Sequence, residues 1–321
     1  MRSEVAMLAR YIARRTVESL VSLAGAALLV FVVVRAAPGD PTGNLLGPLA
    51  TDEQRAALRA SLGLDKPLLT QFGIWIRNVL HGDFGTSISQ NRPVLPVLGE
   101  ALGTTLMLAG LATVFALLIG LVLGNLSRRG PRALRGAADV TEAVLLSAPQ
   151  YTVALILLIV LCVTIPAFPA GGLITDAGPS VLLSHLTLPA IALALPSGAM
   201  IGRSLKTALA DPGVAELVPA LQARGVAPAA VAAHLHRNAL PAVLPVTGLQ
   251  IGTMFGAAVF IETIFSLPGL GSLALQAIGP RDYPLLQGVV LLVAVMFIGV
   301  MFVADVIVAA VDPRIRKAAA R

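Results

Sequence analysis

Charge is scarce in this chain. Of 321 residues only 12% are Asp, Glu, Lys or Arg, about half the share of an ordinary soluble domain. With 56% hydrophobic residues and a mean hydropathy of +0.86, a water-soluble surface of this size cannot be covered. That excludes a soluble enzyme and a disordered protein. Cysteine is nearly absent too. Cys162 stands alone in an apolar run, so no internal disulfide staples the fold and cysteine usage says nothing of redox compartment. The four histidines, His81, His185, His234 and His236, show no metal-ligand set, and the last two point to different faces of a helix. No G-x-x-x-x-G-K-[ST] phosphate loop, His-Glu-x-x-His or G-x-S-x-G occurs. By these signatures the chain neither hydrolyses ATP nor carries a zinc-protease or serine-hydrolase centre. Nothing favours a Ser–His pair for intramembrane proteolysis.

Long apolar runs are what the chain does have. A membrane helix needs about 20 predominantly apolar residues, and six segments supply them: 15–35 (with Glu18 the one interior charge), 101–127, 143–175, 177–202, 238–261 and 283–304. In the third, Pro166, Pro169 and Gly171-Gly172 predict a helix ending near Thr164, followed by a loop. The fourth helix is expected to start near His185. Period-two alternation is absent, which speaks against a barrel. The first run, about 19 residues, exceeds the core of a signal peptide and reads as a retained anchor, with cleavage the alternative.

The net charge of +6 would suggest nucleic acid in a soluble protein; here it orients the bundle. With both termini in the cytoplasm, the inner segments hold Arg2, Arg10, Arg14, Arg15, then Arg128, Arg129, Arg132, Arg135, then Arg203, Lys206, Arg224, Arg237, and finally Arg314, Arg316, Lys317, Arg321. The short outer loops carry only Arg281, and the remaining basic residues fall in one long outer segment, which translocates largely regardless of charge.

That outer segment, 36–97, is expected to be ordered. Thr51 and Gln54 fit a capping box opening a helix from Asp52 to about Ser61, closed by Gly63. Leu68–Leu80 is a second helix with Phe72, Trp75, Ile76 and Leu80 on one stripe, suited to packing on the spans or to the membrane interface. The largest inner segment, 203–240, predicts a helix from Val214 to Arg224 with Asp211 as N-cap, a stop at Gly225 and a second helix from Pro228. Its small side chains permit close approach, either to the protein's own spans or to a cytoplasmic partner. Of the intramembrane charges, Glu18, Glu262 and Asp305 are each expected near a helix end within reach of water or headgroups. No chain of acids or histidines relays protons across the bilayer, and the halves show no convincing repeat, which weighs against an ion-coupled secondary transporter.

Several motifs, in order along the chain, resemble the B-type permease subunits of ABC importers for dipeptides and oligopeptides. They are Pro38-Gly39-Asp40-Pro41; Leu62 to Leu68 with Gln71, Phe72 and Trp75; Gly82-Asp83-Phe84-Gly85-Thr86-Ser87; Glu262 to Gly271, including Phe265, Pro268 and Gly269; Arg281 to Gly288; and Asp312 to Arg316. Residues 216–225 are similar to the family's "EAA" coupling segment, with Glu216, Ala220, Ala223, Arg224 and Gly225 at matching places, while Pro219 and Leu221 depart from the usual residues. His234 to Asn238 follows Gly225 about one residue sooner than in the family.

The resemblance implies an all-α integral membrane fold of the type I importer permease kind. It has six transmembrane helices, an ordered outer segment and a cytoplasmic coupling-helix loop. Its divisions would be 1–97 (first helix and outer segment), 98–312 (five-helix core, with the coupling loop at 203–240) and 313–321 (cytoplasmic tail). It implies no catalytic residue, metal or cofactor in this chain; ATP and Mg would be bound by two ATPase subunits, or one fused pair. A second permease, an extracytoplasmic binding protein and membrane lipid complete the partners, with no nucleic acid, in a bacterial plasma (inner) membrane. Nickel, glutathione and haem importers are built similarly, so substrate stays open at this point. A self-contained secondary transporter or channel is the alternative of a different class.

Overall fold

The computed structural model describes residues 2–36, 51–61, 65–174 and 178–311. Pro38 to Pro41, Gly63 and the segment 312–321 lie outside them. The chain begins with α1 (Arg2–Ala36), followed by the short helices α2 (Asp52–Ser61) and α3 (Leu68–Leu80). The capping box at α2 is formed: the Thr51 amide donates to Gln54 Oε1 at 3.0 Å and the Gln54 amide to Thr51 Oγ1 at 3.3 Å. A ribbon of two short antiparallel strands, β1 (Thr86–Ser87) and β2 (Arg92–Pro93), pairs Thr86 with Pro93 and leads directly into α4 (Val94–Arg129). Then come α5 (Arg132–Ser147), α6 (Gln150–Leu158, wound on as a π-turn over Ile159–Thr164) and α7 (Pro179–Ala210). The short α8 (Pro212–Ala215) and α9 (Leu217–Ala223) precede α10 (Pro228–Ile264), α11 (Leu270–Ile278) and α12 (Tyr283–Val311).

Among the described residues five helices, α1, α4, α7, α10 and α12, are long and apolar enough to cross a membrane. The pair α5–α6 makes a sixth when counted as one broken span, bent by 107°. The expected single helix across 143–164 is therefore corrected. Ala148 is extended (φ −82°, ψ 130°) because the residue before Pro149 is pushed out of the helical region, and the helix restarts at Gln150. α6 and its π-turn hold 9 and 6 residues, a rise of about 22 Å, short of the hydrocarbon core. α7 begins at Pro179 rather than near His185, with the proline at the first turn where its missing N–H costs nothing. The second helix of the inner hairpin and the fifth span are one helix, α10.

Lipid provides little hydrophobic drive between helices, so close approach decides which ones pair. α4 and α7 approach through two small-residue pairs four apart, Gly120/Gly124 and Gly198/Gly202. A Cβ on Gly120 would lie 2.7 Å from Ile201 Cγ2, and one on Gly198 2.8 Å from Ile119 Cβ. α7 is the most enclosed element, with Leu188, Ala190, Ala192, Leu193 and Ala194 all fully buried against α4, α6 and α10. A second core, of Val94, Leu98, Leu270, Leu285 and Val289, joins α4, α11 and α12 at the end that carries the β-ribbon.

α1 is held at both ends. Phe31 meets Phe72 and Trp75 of α3 at centroid distances of 5.4 and 5.7 Å, so the aromatic stripe packs on a span. Leu80, expected on that stripe, is exposed instead. Toward the other end Arg15 reaches Glu18 at 3.2 Å and Asp305 of α12 at 3.4 Å, so two of the three intramembrane acids share one arginine. α5 is tied to α7 by Lys206 Nζ on Asp139 at 2.7 Å and by Arg203 toward Glu142 at 3.8 Å.

Candidate functional site

The segment between α7 and α10 is one exposed turn seated on an apolar base. Asp211 Oδ1 accepts the Gly213 amide at 2.9 Å, capping α8 as its side chain predicts. The expected continuous helix from Val214 to Arg224 is broken at Glu216, between α8 and α9. Pro219 accounts for the break, since it lacks the N–H that would bond Ala215 four residues back and sits instead in the first turn of α9, where no donor is needed. The far end closes on Gly225, at φ +71°. Its amide donates to the Gln222 carbonyl at 2.9 Å and the Val226 amide to Leu221 at 3.1 Å, the two bonds of a Schellman stop. Leu221 and Val226 pack together with Val214, Leu217 and Val218 against the core. Leu221 is thus the apolar partner that such a stop recruits. Glu216, Pro219, Ala220, Ala223, Arg224 and Gly225 face out. Beside them a cleft of about 1370 Å³ opens between α7, α8 and α10, with Arg203, Asp211, His234, Arg237 and Asn238 on its walls.

At the opposite end of the bundle lie two buried carboxylates. Glu262 is fully enclosed and does not reach water, contrary to the expectation for an acid near a helix end. Its Oε1 accepts Thr105 Oγ1 at 2.7 Å; Oε2 accepts the Gly271 amide at 2.7 Å and the Ser272 amide at 3.1 Å. These amides are the open donors of the first turn of α11, where a negative charge is favoured. Thr105 Oγ1 in turn accepts the Leu270 amide at 2.9 Å. The signature glycines are explained by the same cradle. A Cβ on Gly269 would lie 2.3 Å from the Glu262 carboxyl carbon, and one on Gly271 2.3 Å from Val259 Cα. Phe265 is fully buried and Pro268 exposed; the Phe265 carbonyl accepts the Gly172 amide at 2.9 Å.

The second carboxylate, Asp282, joins two of the resemblance motifs. Oδ2 accepts Ser87 Oγ at 2.6 Å, the Ser89 amide at 2.9 Å and Ser89 Oγ at 2.7 Å, while Oδ1 accepts the Leu285 amide at 3.2 Å at the start of α12. Burial pushes this carboxyl up, but the donors from Ser87, Ser89 and Ile88 outweigh it and hold it below the ordinary range. The approach to the ribbon is shaped by Gly82 and Gly85, both with positive φ, by Asp83 Oδ1 accepting the Gly85 amide at 2.9 Å, and by Phe84 in the α4–α12 core.

Sequence reasoning named Glu262, Gly269 and Gly271, held Ser87 and Asp282 within two separate motifs without joining them, and missed Thr105. A hydroxyl near the start of an apolar run and an Asp just before a helix were the available signals. Among the described residues no group of three His, Cys, Asp or Glu is placed to hold a metal ion. His236 Nε2 meets Asn125 Oδ1 at 3.1 Å, tying α10 to α4, while His234 faces out.

Residues 98–317 match the family described as "Binding-protein-dependent transport system inner membrane component", and residues 7–109 its N-terminal companion. The "Oligopeptide transport system permease protein AppB" of Bacillus subtilis is 34% identical over 314 residues, covering 96% of this chain and 99% of that protein. The "Probable peptide ABC transporter permease protein y4tP" of Sinorhizobium fredii is 32% identical over 95% of this chain and 99% of its own length. Among solved structures, an inward-facing form of the MetNI methionine ABC transporter matches with a TM-score of 0.57 at 19% identity, covering 68% of this chain and 98% of that one. That likeness shows the fold of type I ABC importer permeases.

Proposed function

The chain belongs to the family of binding-protein-dependent transport system inner membrane components, and from that premise we propose that it forms half of the pathway of an ATP-driven importer of di- and oligopeptides. As a permease subunit it is a multi-pass membrane transport component, not an enzyme. ATP and Mg are bound and consumed by two ATPase subunits (or one fused pair), a second permease supplies the other half, and an extracytoplasmic binding protein delivers substrate. The α8–α9 turn faces the cytoplasm, as do both termini, and the buried-carboxylate layer faces outward.

The observation that carries the coupling role is the exposed face of Glu216, Ala220, Ala223, Arg224 and Gly225 on a short segment tied to α7 through Asp211 and to α10 through residues 224–227. A cleft in an ATPase accepts the small side chains. Because α7 ends at Ala210 and α10 starts at Pro228, moving the turn moves both spans, as alternation between inward-facing and outward-facing states requires. The substrate class follows the relatives named as peptide permeases, over nickel, glutathione or haem. On this reading 1–97 forms an outer unit, 98–312 the translocating core and 313–321 a cytoplasmic tail.

The test is reconstitution of the chain with the permease and ATPase subunits encoded beside it. ATP-dependent uptake of labelled di- and oligopeptides supports the reading. Uptake by the chain alone, without ATPases, would favour a secondary transporter. Preferred uptake of nickel, glutathione or haem would correct the substrate.

A further inference from the structure

We propose that α5 is an interfacial helix that lies on the membrane surface and gathers acidic phospholipid at the cytoplasmic leaflet. This goes beyond the transport reading and does not depend on which substrate is carried. The first observation is geometric: α6 and its π-turn carry no charged residue and make a candidate span only together with α5, from which they are bent by 107°. With α6 set into the apolar layer, α5, which holds Arg132, Arg135, Asp139 and Glu142, turns nearly at right angles to it and runs close to the membrane plane. The second is the distribution of side chains around α5. Leu134, Val140 and Val144 are exposed at 49%, 64% and 59%, and with Ala133 and Ala137 they fall on one arc at helical spacing. Arg132, Arg135, Asp139 and Glu142 fall on the other side.

Charge identifies the occupant of the apolar arc. The two acids of α5 are taken up by α7, through Lys206 on Asp139 and Arg203 toward Glu142. Arg132 and Arg135, with Arg128 at the end of α4, are exposed, and among the described residues none of the three is in an ion pair. Arg135 also acts through space on Asp139, leaving Arg128 and Arg132 the freest of the three; an amphipathic helix with a bare apolar stripe and exposed arginines fits the boundary between acyl chains and anionic headgroups. A protein surface covering Val140 and Val144 is the competing occupant, which the experiment separates.

The experiment uses the full chain, with the subunits that copurify with it, in vesicles of phosphatidylcholine containing phosphatidylglycerol. A fluorophore is placed at Val140→Cys or Val144→Cys in a Cys162→Ser background, with Ala137→Cys as a further position should either fail to fold. Nitroxide-labelled lipid should quench these positions and aqueous iodide should not. At equal mole fraction, nitroxide-labelled phosphatidylglycerol should quench threefold or more better than labelled phosphatidylcholine, one arginine near an anionic surface being worth about a factor of five. Replacing Arg128, Arg132 and Arg135 together by Gln should bring the two lipids to parity. Iodide access, or protection from iodide and lipid alike, would overturn the membrane seat. Equal quenching by both lipids in the unsubstituted arginine background would overturn the recruitment of acidic lipid.

Discussion

Ser87 donates its hydroxyl to the carboxylate of Asp282 at 2.6 Å, across 195 residues of chain. The bond fastens the ribbon that opens α4 to the first turn of α12, so the starts of two spans share one buried charge. Removing that charge leaves Ser87 Oγ and the amide of Ser89 without their acceptor.

Asp282→Ala is expected to cost about 2–4 kcal/mol of local stability, since buried donors lose a charged acceptor. Amide hydrogen exchange at Ser89 and Leu285 should accelerate while the spans stay protected. Unchanged exchange at both amides would refute the tether. The pH dependence has a definite sign. A carboxyl held below its ordinary value stabilises above an unfolded value of about 3.9 and loses that contribution as pH falls through the lower folded value. Order in the ribbon should therefore persist at pH 5 and decline only below about pH 4.

Glu262→Gln places an amide nitrogen or an uncharged oxygen against the Gly271 and Ser272 amides, and should lower stability by about 2–3 kcal/mol. Gly271→Ala forces its methyl into the α10 backbone at Val259 and should cost about 1–3 kcal/mol. Thermal unfolding in detergent measures both. A melting temperature equal to wild type in either variant would contradict the cradle.

Gly225→Val meets no neighbouring atom but must hold a β-branched residue at φ +71°, a strain of about 1–3 kcal/mol. Insertion into the membrane should be normal, and uptake should be lost while the ATPases continue to turn over. Gly225→Asn, which tolerates the left-handed region, should retain most uptake. Full uptake by well-expressed Gly225→Val would remove the coupling assignment.

Trp75 is the single tryptophan, and its ring faces Phe31 and Phe72. Phe31→Ala should shift its emission to the red as water enters, and loosen α3 from α1 at a cost of about 3–5 kcal/mol. An emission spectrum identical to wild type would show that the aromatic contact does not hold the outer helix down.

Much of this architecture was legible from apolar runs and capping residues, because those signals are local. Thr51 with Gln54, Asp211 and Gly225 each state their own backbone geometry. What escaped reading involved partners far apart in sequence. Asp282 looks like an ordinary residue before a helix until Ser87 and Ser89 fold onto it, and Glu262 looks like an acid at a wet helix end until α11 turns its open amides inward. The bend at Ala148 was visible in Pro149 but was masked by an uncharged run long enough for a straight crossing. The spacing Gly120/Gly124 and Gly198/Gly202 was equally visible, but two such pairs recognise each other only once their helices are neighbours. Pro219 and Leu221 looked like departures from a pattern; each has a local task, one breaking the turn at Glu216 and the other seating it.

The four-glycine crossing of α4 and α7 leaves no room for a side chain between their backbones, so sliding one helix along the other by a residue would drive Ile201 or Ile119 into main chain. The two helices therefore behave as a single strut in fixed register. One end of that strut is Asp211, where the exposed turn begins. The other carries Thr105, bonded to Glu262, and leads to the ribbon, which Asp282 fastens. On the proposed coupling role, a displacement of a few ångströms at the turn would be carried along this strut to the far face, while the bend at Ala148–Pro149 would let α6 stay behind.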